Sequence, residues 1–280
     1  MENQKSPSYS GAIPDVPPPP YSEYDHPSGH AEQSPQYEAS YTANSTTLHA
    51  ATRKIPPILN GYLHWTSTKD LYLGPSAQER LYAVSIQTAK TGQQTIVLHD
   101  GPTDRHPPLG KSESDGYLRA KYFLITLPPR SGSGGNPVIE QIDGVMPYKR
   151  MAPTFSFTVS GAEKRTTREV FQWRSSHGKE IKELGGFSYG WKLVRLSHST
   201  DEAGASRSHR PLGCTSDGKE IVAVIAHNSS WSLTKGFRFA FMGSGLTGTM
   251  GEKWETMALV SAVQLWCMDY QSMVHTTPVT

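Results

Sequence analysis

The chain has 280 residues, of which 19% are charged, and a formal net charge of +2. That length suits one large domain or two small ones. The charge is too mild for the basic stripe of a dedicated nucleic-acid binder, and two cysteines make no disulfide framework.

The charge is unevenly spread. Residues 1–59 carry three basic and six acidic side chains, which leaves the remainder near +5. A weak attraction of that remainder to an acidic membrane surface is expected. The N-terminus has no basic-plus-apolar signal segment and no transmembrane run follows it, so the expected location is cytoplasmic, at most peripheral to a membrane. Asn44-Ser45-Thr46 and Asn228-Ser229-Ser230 match the glycosylation triplet, which carries little weight without an export signal.

Residues 1–57 hold ten prolines and five tyrosines with almost no aliphatic runs. Such a segment cannot offset its ordering entropy by burial, so it reads as a disordered tail. Four consecutive prolines, Pro17 to Pro20, favour polyproline II. Pro18, Pro19 and Tyr21 then match the PPxY ligand of WW domains, with Pro20 at the variable position. A preformed extended helix docks in an aromatic groove and Tyr21 fills a second pocket. The bland reading is a proline-rich spacer.

From residue 58 the composition changes. Short apolar or alternating runs are separated by turn residues. The spacing predicts strands at Tyr62–Trp65, Leu71–Leu73, Arg80–Gln87, Thr95–Leu98, Tyr117–Leu127, Val138–Gln141, Thr154–Ser160, Arg168–Arg174, Gly190–Leu196, Glu220–His227, Ser230–Leu233 and Gly236–Met242. Alternation is clearest at Phe155, Phe157 and Val159, and at Phe237, Phe239 and Phe241. Pro128–Pro137, Thr200–Pro211 and Asp100–Pro108 read as loops. No helical pattern of useful length lies between the strands.

One helix follows them. Between Met257 and Met268 only Ser261 and Gln264 are polar, which leaves no solvated face. Thr249 and Glu252 have the spacing of a capping box. The apolar run is about 12 residues, well short of the roughly 20 needed to span a bilayer. A short helix that is apolar all round belongs inside a protein. The chain therefore reads as all-β, a barrel or curled sheet wrapped around one C-terminal helix, in residues 58–272 with a short tail at 273–280. The tryptophans Trp65, Trp173, Trp191, Trp231, Trp254 and Trp266 read as core or helix–wall contacts, and Cys267 as a small apolar side chain.

Catalytic motifs fail on context. Gly243, Gly245 and Gly248 fit the dinucleotide fingerprint, and Asp269 stands at a fitting distance, but no parallel strand can follow the helix. A tight turn from wall to interior is the better reading. Ser188 sits in G-x-S-x-G, yet a strand pattern follows where a nucleophile elbow needs a helix. The histidines show no metal-ligand spacing and no calcium loop is present. No catalytic residue, cofactor or metal ligand is expected. Basic residues recur in the strand region, and Lys149, Arg150, Lys192 and Arg195 are candidate contacts to lipid headgroups. The competing reading is a solvated strand face.

The proline-rich tail with its PPxY, the dozen strands, the stretch Phe171 to Gly178 (FQWRSSHG) and the helix from Gly251 to Tyr270 together resemble the tubby C-terminal-like superfamily. The likeness extends to uncharacterised fungal proteins of that group, with kinship to phospholipid scramblases and LURP-one-related proteins, over roughly residues 60–272. The resemblance implies a closed, roughly twelve-stranded antiparallel barrel around a central apolar C-terminal helix. It also implies binding of acidic phospholipid or phosphoinositide through basic residues on the barrel surface. Scramblase-like lipid transfer is the alternative it brings. This chain departs from the scramblase pattern: it has no cysteine cluster, no acidic calcium segment and a helix too short to span. The leading expectation is thus a monomeric, non-catalytic, membrane-associated adaptor whose tail recruits a WW-domain protein and which does not bind nucleic acid.

Overall fold

The computed structural model describes residues 54–64, 67–90, 93–114, 122–129, 134–144, 152–160, 166–185, 189–199, 213–227 and 235–276. Twelve strands form one closed antiparallel barrel: β1 (Ile58–His64), β2 (Ser67–Gly74), β3 (Tyr82–Thr88), β4 (Gln94–His99), β5 (Pro108–Ser114), β6 (Tyr122–Leu127), β7 (Val138–Asp143), β8 (Thr154–Ser160), β9 (Thr166–Ser176), β10 (Gly190–Ser199), β11 (Lys219–His227) and β12 (Lys235–Phe241). Every strand neighbours the next in sequence, and β1 closes on β12, pairing Leu59 with Phe239 and Gly61 with Phe237. Closure removes the sheet edges that an open sheet would leave.

The predicted central helix is α2 (Glu252–Thr276), preceded by a 3-10 turn at Gly243–Leu246. Every residue from Trp254 to Cys267 is buried. That stretch is about 21 Å long at helical rise, close to the span of a seven-residue strand. It packs against the inward rows of the wall, including Phe155, Phe157, Phe171, Trp173, Phe237, Phe239 and Phe241. Trp173 Nε1 donates to Ser261 Oγ at 3.0 Å, and Trp266 Nε1 donates to the Gly236 carbonyl at 3.1 Å. A large apolar helix and alternating aromatic strands are two halves of one core, and neither buries its surface without the other.

The helix is not centred. It lies close to β5, where a Cβ built on Gly110 would come within 2.9 Å of Val260 Cγ2. Gly110, Ser112 and Ser114 form the inward row of β5, and Ser112 and Ser114 are buried. Small residues on that wall let the helix approach, and the large aromatics fill the rest of the interior. This is also why β5 escapes a search for apolar alternation: its inward row holds no large apolar side chain. The segment Asp100–Pro108, read as a loop, ends where this extra strand begins.

A second departure is α1 (Lys179–Gly185), a two-turn helix where none was expected. Its Ile181 and Leu184 pack on Ile221, Val224, Ala226, Ala240 and Met242. A helix this short offers only two apolar positions, too few to register as a period. It covers the outer face of β11, which is why Ile221–His227 is buried at every position. The turn into the interior is built on glycine, as the sequence suggested. Gly243 and Gly251 take positive φ values of 48° and 89°, and a Cβ on Gly245 would lie 2.1 Å from the Val222 carbonyl oxygen. The capping box is not formed. α2 begins on Gly251, whose carbonyl accepts from the Glu255 N–H, and the Thr249 hydroxyl bonds Thr247 instead.

The wall has one loose seam. Among the described residues β7 and β8 pair only at Asp143 and Thr154. A cleft of about 460 Å³ opens there, lined by Ile139, Glu140, Phe155 and Arg168 among others. The Arg168 guanidinium forks onto Glu140 at 2.9 and 2.6 Å and bridges the gap across β8. At the start of the fold Ile55 is fully buried, and Tyr82 donates to the Lys54 carbonyl at 2.5 Å. The barrel domain therefore takes in the residues just before β1.

Candidate functional site

Polar side chains gather at the two mouths of the barrel. Near the start of α2, Arg195 of β10 lies between Glu169 of β9 and Glu220 of β11. Its guanidinium donates to both Glu169 carboxylate oxygens, and Nη1 stands 3.6 Å from Glu220 Oε2. Nη1 also donates to Ser244 Oγ at 3.1 Å, and Ser244 donates its N–H and hydroxyl to Glu220. Arg195 is 12% exposed as a side chain. The hydrogen bond to Glu169 holds its pKa above the ordinary value against the opposing effect of burial. The cluster ties three strands to the turn that sends the chain into the interior.

At the other mouth Asp269 sits on α2 where the helix leaves the wall. Trp191 Nε1 donates to Asp269 Oδ2 at 2.7 Å and the Tyr189 hydroxyl donates to it at 3.3 Å. His227 Nε2 lies 3.4 Å from the same oxygen, outside hydrogen-bonding geometry, and neither ring nitrogen of His227 has a hydrogen-bond partner. Tyr189 meets His227 edge-on at 5.0 Å and His177 at 5.5 Å. Burial pushes the Asp269 carboxyl up to about 6, against the two donors that favour its anion. Burial also pushes His227 down to about 4, and it raises the Tyr189 hydroxyl, helped by the nearby Asp269. The arrangement is an acid that titrates near pH 6 beside a neutral imidazole, both largely shielded from water. Cys267, two residues earlier on the same helix, is held as a thiol by complete burial.

The sequence-derived candidates do not form one patch. Pro18, Pro19 and Tyr21 lie outside the described residues, as do Lys149 and Arg150, Ser188, and the predicted strand Ser230–Leu233. Lys192 and Arg195 are three apart on one strand, so they face opposite sides of the sheet. Lys192 pairs with Arg174 in the register of β9 and bonds Glu180 of α1 at 3.2 Å. Arg195 pairs with the buried Phe171 and points with it. Both cations already have carboxylate partners. Gly243, Gly245 and Gly248 build the turn, and Asp269 is bound to Trp191 and Tyr189 rather than presented to a ribose.

Sequence reasoning did not assemble the mouth cluster. His227 ends β11, Tyr189 directly precedes β10 and Asp269 lies on the helix, so the three share no local spacing. The single usable signal was polar Asp269 immediately after an apolar run. Among the described residues no helix is long and apolar enough to cross a membrane, and no group of three or more histidine, cysteine or acidic side chains could hold a metal ion. No protein-family model, curated protein or solved structure matches the chain.

Proposed function

We propose that the protein is a non-catalytic adaptor that works from its outer surface and its tail. The barrel meets acidic phospholipid, and the Pro18-Pro19-Pro20-Tyr21 segment engages a WW domain. The observation that carries this reading is the filled barrel. Residues Trp254–Cys267 occupy the interior that a ligand-carrying barrel would keep open, so recognition is left to exposed groups. The net positive charge of the chain beyond the tail supports an acidic surface as the barrel's partner. Polyproline II with a following tyrosine supports the WW domain as the tail's partner.

The test is recruitment of a fluorescent WW domain to vesicles by the full chain. Phosphatidylcholine vesicles are compared with vesicles containing phosphatidylserine or phosphoinositide. The expected result is recruitment to the acidic vesicles alone, weakened by salt. Tyr21→Ala should lose the WW domain and keep vesicle binding. Replacing Lys149 and Arg150 together by Glu should lose the vesicles and keep the WW domain. Lys192 and Arg195 are unsuitable for this experiment because their ion pairs hold the fold. Equal recruitment to neutral vesicles, or by the Tyr21→Ala chain, refutes the proposal.

A further inference from the structure

Inside the barrel, three buried polar side chains lie on the inward faces of α2, β4 and β5. Gln264 of α2 and Gln94 of β4 are 1% and 2% exposed, and Ser112 of β5 is fully buried. The Gln264 amide nitrogen donates weakly to Gln94 Oε1 at 3.4 Å. Gln94 Nε2, Gln264 Oε1 and Ser112 Oγ have no protein partner. This inventory does not depend on how the amides are oriented. Exchanging nitrogen and oxygen in both reverses the one bond and still leaves one donor and one acceptor unused.

The three groups share one locality. Ser114 sits opposite Gln94, whose N–H donates to Ser114 Oγ at 3.2 Å, and Gln94 touches Gln264. Four residues back along the same inward row, Gly110 meets Val260 and Thr256 of α2. Ser112 lies midway between these two contacts, on the stretch of wall facing Val260–Gln264. A buried polar atom without a partner is costly, and such atoms in folded proteins are almost always satisfied.

We infer that this locality is an internal water site. The chemistry selects the ligand. An amide donor, an amide acceptor and a hydroxyl that can do either require a small molecule that both accepts and donates. A cation would want oxygens alone, and an anion would want donors alone. Water accepts from Gln94, donates to Gln264 and exchanges a bond with Ser112, which is the two to four partners a buried water needs. The close approach of the helix to Gly110 keeps the site small. The bound water keys α2 to one side of the barrel: rotating the helix by one residue would carry Gln264 away from β4 and strand all three groups.

The experiment uses the full chain with nitrogen-15 glutamine. Cross-relaxation between water and the side-chain amide protons of Gln94 and Gln264 is measured, with assignments from Gln94→Met and Gln264→Met. The expected signal is that of a water resident far longer than surface hydration, on both amides. Ser112→Ala, which adds no volume and should fold, is expected to weaken that signal. Each Met variant alone should lower the urea midpoint, and the double variant should lower it by clearly less than the sum, because it removes donor and acceptor together. Absence of long-lived water at both amides in the unmodified chain overturns the inference. So do strictly additive midpoint shifts, which would mean that the two amides act independently.

Discussion

Replacing Asp269 by Asn separates two opposed titrations at the barrel mouth. In the folded chain the Asp269 carboxyl is raised to about 6 and His227 is lowered to about 4 by burial. Unfolded, the two groups titrate near 4 and 6.5. As pH falls from 7.5 to 4, folded Asp269 takes up its proton more readily than the unfolded chain does. Its contribution to stability therefore rises, by about 2.5 kcal/mol. Over the same range the unfolded chain protonates His227 and the fold does not, so that contribution falls by about 3 kcal/mol. The two nearly cancel. Folding in this window in effect moves a proton from histidine to aspartate.

The consequence is visible only when one partner is removed. Asp269→Asn keeps an oxygen for Trp191 and Tyr189 and abolishes the acid. Relative to the unmodified chain it should be more stable by up to ~2.5 kcal/mol at pH 7.5 and about equal at pH 4. His227→Gln should show the reverse trend, gaining about 3 kcal/mol relative to the unmodified chain between pH 7.5 and 4. Urea denaturation of the three chains across that range gives the differences directly, and all other titrating groups drop out of them. If the 3.4 Å contact were an ion pair, His227 would be raised and Asp269 lowered. Asp269→Asn would then be least stable at neutral pH. That sign, or a difference flat to within ~0.5 kcal/mol, refutes the argument.

Leu265→Asp places a charge on the filled side of the barrel. It should unfold the domain by circular dichroism, since the cost of an unpaired buried charge exceeds the ~5–15 kcal/mol that a domain has in reserve or comes close to it. An unchanged melting temperature would reject the central-helix packing. Gly110→Val adds a branched side chain where a Cβ alone already crowds Val260, Leu127 and Thr256. It should cost about 1–3 kcal/mol in urea, and a neutral result would show that the helix does not hug β5. Arg195→Ala takes away the cation that stands between Glu169 and Glu220. A loss of about 3–5 kcal/mol is expected at pH 7. Arg195→Met, which keeps most of the side chain's volume and removes its charge, should lose nearly as much, and a small loss for that variant would mean that lost packing, not charge, dominates.

Much of the barrel was legible because its strands alternate. Thr154–Ser160 is observed with the bounds its Phe155, Phe157 and Val159 pattern implies. The helix was legible for the opposite reason, the lack of any polar face. β5 was not, because a wall that must admit a helix carries Gly and Ser where a strand detector looks for Val and Phe. α1 was not, because two apolar residues on two turns leave no period. The mouth cluster was legible least of all. Its chemistry depends on Trp191 and Tyr189 reaching an aspartate some 80 residues later in the chain, and on burial, which no local pattern encodes. The headgroup candidates show the converse. Lys192 and Arg195 look alike as basic residues of one strand, and the parity of the strand sends them to opposite sides with different carboxylates.

The filling of the barrel by α2 has a consequence for biogenesis. The helix follows all twelve strands in the chain, so a ribosome delivers the complete wall before it delivers the material that makes the wall cohere. Until then Phe155, Phe171, Trp173, Phe237 and Phe239 have no partner, and the pairing of β1 with β12 must wait for a loop of some 180 residues to close. Long-range pairing of this kind is slow, and nascent strands with bare apolar rows are prone to associate with one another. The protein is therefore expected to lean on chaperones until its last helix emerges, and a premature stop anywhere before α2 should yield insoluble chain rather than a shortened barrel.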